Sequence, residues 1–229
     1  MVRNLAAQAD AIWPQESRLY ARYASPPPAR ILDAGCGTGE IASRLAELFP
    51  ESSVLGVDII DAHLALARSR YARLAPRLAF EHQSVYQLAA ADETFDLAVC
   101  RHVLQSIPHP DRVLEELVRV TRRGGWLHLI AEDYGMLHFQ RGALDPAEFW
   151  HVAPAAFEAA TGTDLHIGRN LYGILLALGL EDIAVEYATV DPLHAPREVF
   201  ARIIEAWRDG YVEAIGELTP ISSARVPDR

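Results

Sequence analysis

Short apolar runs alternate along this chain with stretches of helical periodicity. Ile31, Leu32 and Ala34 form a run too short for a helix, whereas Glu40 to Phe49 places apolar residues at 41, 42, 45, 48 and 49, one face of a helix. The alternation continues. Strands are predicted over 30–34, 53–57, 78–82, 95–100 and 125–131, and helices over 39–49, 61–74 and 111–121, with at most a short helix over 85–91. Such alternation predicts an α/β fold, a Rossmann-like, doubly wound and mostly parallel sheet with helices on both faces. An amphipathic segment up to Tyr23 and a Ser25-Pro-Pro-Pro28 hinge precede it. Beyond residue 133 the pattern loosens. Tyr134 to Thr163 mixes aromatics, His and Pro, Asp164 to Gly179 reads as a helix closed by glycine, Ile183 to Val190 as a sixth strand, and Pro196 to about Glu217 as a helix.

The strand at 30–34 runs into Asp33-Ala-Gly35-Cys36-Gly37-Thr-Gly39, which places three glycines between a strand and a helix. Glycine permits positive φ and lets a ligand approach bare backbone, while the next helix directs unpaired N–H groups toward the loop. This is the build of a nucleoside-cofactor pocket. A dinucleotide fingerprint would need its third glycine at position 40. Glu40 stands there instead, and a carboxylate in the first turn opposes a pyrophosphate. The second strand ends in Asp58, where a carboxylate accepts both ribose hydroxyls; Asp61 is better placed to cap the following helix.

With Asp33 ahead of it, the glycine segment resembles the first motif of class I S-adenosylmethionine-dependent methyltransferases. Thr94 to Ile107 and Arg122 to Ala131 resemble the fourth and fifth strand motifs of that family, so the match is ordered and spans about residues 30 to 133. The Arg101-His-Val-Leu104 run and the helix start at Pro108 to Glu116 look most like the ubiquinone and menaquinone biosynthesis type and its small-molecule relatives. The resemblance implies S-adenosylmethionine as cofactor, held by Asp33, Gly35, Cys36, Gly37, Gly39, Asp58, Ile59, Ser84, Val85 and Arg101. It also implies one domain over 1–229, made of an N-terminal helical lid (1–28), a cofactor-binding core (29–133), a substrate cap (134–180) and a C-terminal strand, helix and tail (181–229). Two departures stand out. Ser84 occupies a position where relatives usually carry an adenine-binding Asp. The family's seventh, antiparallel strand has no credible counterpart, because Gly216 to Arg229 is short, polar and broken by two prolines, which cannot donate within a ladder.

Methyl transfer rests mainly on positioning, and a base helps where the nucleophile must lose a proton. His102, directly after the fourth strand, is the leading candidate, against an equal reading as a histidine that packs or hydrogen-bonds locally; Tyr134 and His138 are weaker candidates that equally fit the lining of a substrate pocket. Glu132 and Asp133 either meet a substrate amine or cap the loop. Trp13, Arg18, Tyr20 and Arg22 lie on the proposed lid, where an arginine would meet the cofactor carboxylate or else form a solvated face. Phe80 and Tyr86 are placed to give apolar cover for the adenine, with core packing the favoured role for Phe80. His63, His82, His128 and His166 carry no site signal.

Composition narrows the partners. The 229 residues suit a single α/β core. A formal net charge of −10 with no basic run argues against nucleic acid. No apolar stretch has signal-peptide or membrane-spanning length, and two cysteines make no disulfide framework, so a cytoplasmic protein is expected. No metal cluster is visible. Two other readings remain: a non-catalytic S-adenosylmethionine-binding protein, and a nicotinamide-dependent oxidoreductase, disfavoured by Glu40 and by a sequence without lysine.

Overall fold

The computed structural model describes residues 2–138 and 146–205. Five strands form one sheet: β1 (Arg30–Ala34), β2 (Ser53–Asp58), β3 (Leu78–His82), β4 (Phe95–Arg101) and β5 (Thr121–Ile130). Their order is β3-β2-β1-β4-β5, and every pairing is parallel. The helices are α1 (Val2–Glu16), α2 (Glu40–Leu48), α3 (Asp61–Arg70), α4 (Pro110–Val120), α5 (Pro146–Thr161) and α6 (Ile167–Ala177). The expected doubly wound sheet is therefore present. Each of the four connections between successive strands is a crossover, so the carboxyl ends of all five strands lie along one rim.

The two faces bury different neighbours because strand side chains alternate. Ile31, Leu97 and Val99 pack with α2, α3, Tyr20 and Tyr23. Leu32, Ala34, Ala98 and Cys100 pack instead with α4 and Ile167. The same period determines where the polar residues go. Asp33 is in register with Val99, which is in register with His128, so Asp33, Arg101 and His128 share the face of Ile31, Leu97 and Val99. That face is covered over β4 and β5 by the N-terminal segment: Tyr20 stacks on His128 at 4.4 Å between ring centroids, and Tyr23 meets Trp126.

Several boundaries differ from the sequence expectation. The N-terminal amphipathic segment is α1 followed by a 3₁₀ stretch at Ser17–Tyr23. The helix expected over 61–74 ends at Arg70 and continues as a 3₁₀ turn, Ala72–Leu74, just before Pro76. The 85–91 segment is irregular, with only an isolated bridge between Ser84 and Gln87. β5 begins earlier than predicted, at Thr121, because the strand continues through Arg122 and Gly124–Gly125 alongside Phe95.

The sixth strand expected over 183–190 does not form. Its backbone is partnered by a side chain instead. Gln15 of α1 donates from Nε2 to the Thr189 carbonyl at 2.7 Å and accepts from the Thr189 N–H at 3.0 Å. Val185 and Tyr187 are exposed, so no apolar face drives the segment onto the sheet. Periodicity registered the β-branched run but not the missing neighbour. The tail from 206, including the expected end of the C-terminal helix and the expected absence of a seventh strand, lies outside the described residues; 197–205 is helical as expected.

Candidate active site

Gly35, Gly37 and Gly39 have φ of +75°, +52° and +84°, the left-handed region in which a side chain is strained. The crowding is equally restrictive. A Cβ at Gly35 would lie 2.3 Å from Val103 Cγ2, and one at Gly37 would lie 2.9 Å from Leu5 Cδ1. The loop is pinned at its start, since the N–H groups of Gly35 and Cys36 both donate to the Val57 carbonyl. Asp58, at the end of β2, reaches across. Its Oδ2 accepts from Gly37 N at 2.8 Å and its Oδ1 from Ile60 N at 2.9 Å, which fixes the carboxylate while leaving each oxygen a further lone pair. Ile59 beside it is 63% exposed.

Ser84 and Val85 follow β3. Ser84 Oγ accepts from the Tyr86 N–H at 3.3 Å, so its hydroxyl already serves its own turn. Val85 and Tyr86 pack against the α4 face, and Phe80 is in the core, its ring filling the space beside Gly39 and Gly56. Glu40 is buried and turned sideways: Thr38 Oγ1 donates to one oxygen and Arg70 Nη1 to the other, each at 2.5 Å. The charge that the sequence places at the helix entrance is thus balanced by an arginine.

Arg101 is buried, and its Nη2 lies 2.7 Å from Glu16 Oε2. Glu16 is itself 2% exposed. It accepts from Tyr20 at 2.9 Å and pairs with His128 Nε2 at 3.1 Å, while His128 Nδ1 meets the Tyr23 hydroxyl at 3.0 Å. Burial alone raises the Glu16 carboxyl, yet the hydrogen bond from His128 and the charge of Arg101 together leave it below its ordinary value. Sequence reasoning missed Glu16 and dismissed His128. The signal was available in the strand alternation, which puts Arg101 and His128 on one buried face that needs an anionic partner.

Asp33 shares this face. It is 2% exposed, and its Oδ2 has no hydrogen-bond partner among the described residues. Burial pushes its carboxyl up to about 7, against the opposing pull of Arg101. Arg101 Nε likewise lacks a partner among the described residues. A buried acceptor and a buried donor thus stand unsatisfied beside the glycine loop, a condition that native structures rarely tolerate without a ligand or water.

His102 follows with φ +57°, a strained backbone for a residue with a side chain. Its N–H donates to the Ile130 carbonyl at 2.8 Å. Nδ1 lies 2.8 Å from Glu132 Oε1, whereas Nε2 is buried without a partner among the described residues. Sequence reasoning named Glu132 but not this contact. Tyr134 opens a 3₁₀ turn, its N–H donating to the Leu165 carbonyl, and Asp133 caps that turn while forming a two-pronged pair with Arg169. His138 is exposed. Arg18 is not drawn into the cluster by any contact described, and Arg22 instead pairs with Glu186 on the surface. A cleft of 710 Å³ between Tyr20, Pro27, Pro28 and Phe49 lies at the amino ends of β1 and β2, away from the glycine loop.

Residues 31–125 match the family model described as a methyltransferase domain. That stretch is similar to a methyltransferase domain, in keeping with the class I S-adenosylmethionine-dependent kind that its motifs resemble. Over 101 residues it is 40% identical to the trans-aconitate 2-methyltransferase of Deinococcus radiodurans, covering 44% of this chain and 37% of that protein. Over 97 residues it is 34% identical to the ubiquinone biosynthesis O-methyltransferase of Alkalilimnicola ehrlichii, covering 42% and 38%. The chain spans well under two thirds of the curated relatives it matches. Among solved structures, phosphoethanolamine N-methyltransferase 2 of Haemonchus contortus, in complex with S-adenosyl-L-methionine, superposes over 90% of this chain and 48% of that one with a TM-score of 0.63 and 22% identity. The [4+2]-cyclase SpnF superposes over 89% and 70% with a TM-score of 0.62 and 24% identity. At these identities the methyltransferase domain shares their fold. Among the described residues no helix is long and apolar enough to cross a membrane.

Proposed function

We propose that this protein transfers the methyl group of S-adenosylmethionine to a small-molecule acceptor. The observation that carries the reading is the pair of unsatisfied buried groups beside the glycine loop. Asp33 Oδ2 and Arg101 Nε are an acceptor and a donor on one face, which suits the ammonium and carboxylate of a free amino-acid end. The rest of the rim supports the same ligand. Asp58 retains lone pairs for ribose hydroxyls, exposed Ile59 gives an apolar surface for a purine, and Val85 lies at the turn where the ring edge would fall. Gly35, Gly37 and Gly39 keep the backbone bare. When bound, the cofactor supplies a sulfonium methyl that a nucleophile takes up as the carbon–sulfur bond electrons return to sulfur.

The chain's part is to bind, orient and exclude water. α1 contributes to exclusion by laying Leu5 over Gly37 and placing buried Gln8 3.4 Å from Glu132, so the 1–28 segment acts as a lid as well as a layer of the core. The segment from Tyr134 to Leu180, with α5 and α6, is assigned as the substrate cap. The relatives' names, an aconitate and a ubiquinone-pathway methyltransferase, support a metabolite-sized acceptor. The test is formation of S-adenosylhomocysteine from added S-adenosylmethionine. The reading predicts formation that depends on the low-molecular-weight fraction of a cell extract; dependence on the macromolecular fraction would contradict it.

One observation favours a second reading, cofactor binding without methyl transfer: a structure that superposes over 89% of this chain with a TM-score of 0.62 is a cyclase, so the scaffold does not dictate the reaction. Saturable cofactor binding with no methylated product in any fraction would select it.

A further inference from the structure

The His102 ring is held in a way that a packing histidine does not need. Its backbone is strained at φ +57°, one ring nitrogen is tied 2.8 Å from the Glu132 carboxylate, and the other is sealed from solvent with no partner among the described residues. Strain of this kind persists only where the surroundings enforce it. Glu132 is enforced from two further elements. Gln8 of α1 approaches the same Oε1, and the Gly168 N–H of α6 donates to the Glu132 carbonyl, an approach so close that a Cβ on Gly168 would lie 2.9 Å from that oxygen.

We propose that Glu132 is a positioning residue that makes His102 a proton acceptor at Nε2, and that the methyl acceptor is therefore a hydroxyl group rather than a carboxylate. The proposal rests on the methyltransferase reading and goes further by naming the acceptor atom. A carboxylate accepts hydrogen bonds, so Nδ1 must carry the ring hydrogen, and the neutral ring is left with its lone pair on Nε2. That is the arrangement of a general base oriented by an acid. A carboxylate nucleophile arrives already without a proton and gains nothing from such a base. A neutral amine attacks through its own lone pair and can shed its proton afterwards. A hydroxyl gains most, because its oxygen becomes a strong nucleophile only as the proton leaves. As the oxygen–methyl bond forms, the hydroxyl proton passes to His102 Nε2. The resulting imidazolium is stabilised by Glu132 and gives up its proton to water that enters as the product departs.

The decisive experiment reads the ring directly. The ¹⁵N spectrum of histidine-labelled protein, recorded above the titration of the ring and assigned with His102→Gln, should show His102 protonated at Nδ1. Glu132→Gln, which keeps an acceptor oxygen, should retain that tautomer, and Glu132→Leu should lose it. Protonation at Nε2 in the wild type, or indifference to Glu132→Leu, would overturn the positioning role. Cofactor titration of the same samples separates the two levels: binding with the wrong tautomer defeats only this inference, whereas loss of binding in the wild type defeats the methyltransferase reading. Methyl-labelled cofactor then tests the acceptor, since label in a small-molecule product should survive mild alkali as an ether; release as methanol from an ester would refute the hydroxyl assignment.

Discussion

Asp33 is the residue whose chemistry depends most on its burial. In the unfolded chain it releases its proton near its ordinary value, but in the fold it holds it up to about pH 7. The folded state therefore binds the extra proton, and stability falls as pH rises from roughly 4 toward 7. Asp33→Asn removes that component: in denaturant titrations the variant should gain on the wild type as pH moves from acid to mildly alkaline. Cofactor binding has the opposite sign. An ammonium needs the ionised carboxylate, so affinity should climb by up to about tenfold per unit below pH 7 and level off above it. The slope should vanish in Asp33→Asn, and a slope unchanged in that variant would remove Asp33 from the site. His102→Ala should lower turnover by roughly 100-fold or more, in the range expected of general-base catalysis, with little change in cofactor affinity. A loss in cofactor affinity without a loss in turnover would make His102 a binding residue instead.

Among elements, the glycine turn and the N-terminal segment behave differently under substitution. Gly35→Ala adds both positive-φ strain and a Cβ only 2.3 Å from Val103, so it should weaken cofactor binding and destabilise the fold by roughly 1–3 kcal/mol. Among the contacts that fasten the N-terminal segment is one buried carboxylate, Glu16. Glu16→Ala strands Arg101 and His128 without their counter-charge, which should cost about 3–5 kcal/mol of stability in chemical denaturation. A near-neutral result would mean that water reaches the cluster. The glycine turn was legible in the sequence because its geometry is local, encoded in three residues and the strand before them. The Glu16 cluster was not, because Glu16 meets Arg101 and His128 only after β4, β5 and the N-terminal segment have stacked. The sixth strand failed for a related reason: a period-2 run specifies a willingness to pair, and pairing also needs a free edge and a face to bury, which Gln15 and the exposed side chains of 185 and 187 replace.

For the whole molecule, the parallel sheet followed from the alternation of apolar runs and helical periods, and the rim followed from topology, so Asp33, Asp58 and His102 could be placed together from sequence. The direction of each side chain could not. Glu40 reads as a charge facing a ligand yet faces Arg70, Arg101 reads as a cofactor contact yet also pairs with Glu16 of α1, and Glu132 reads as a loop residue yet holds His102. Such pairings couple the parts: the N-terminal segment, the carboxyl end of β4 and the loop that holds His102 meet through α1, by way of Glu16, Gln8 and Leu5. Bound cofactor should therefore protect α1 amides from hydrogen exchange along with the glycine loop; protection confined to the loop would argue that the lid does not sense the ligand.

The proposed activity depends first on binding of S-adenosylmethionine, with Asp58 on its ribose beside Asp33 and Arg101. Calorimetric titration of the protein with S-adenosylmethionine and S-adenosylhomocysteine should give saturable binding of both, abolished or severely weakened in Asp58→Ala and absent with NAD. A folded wild-type protein that binds neither sulfur ligand, or that binds them equally well without Asp58, would contradict it.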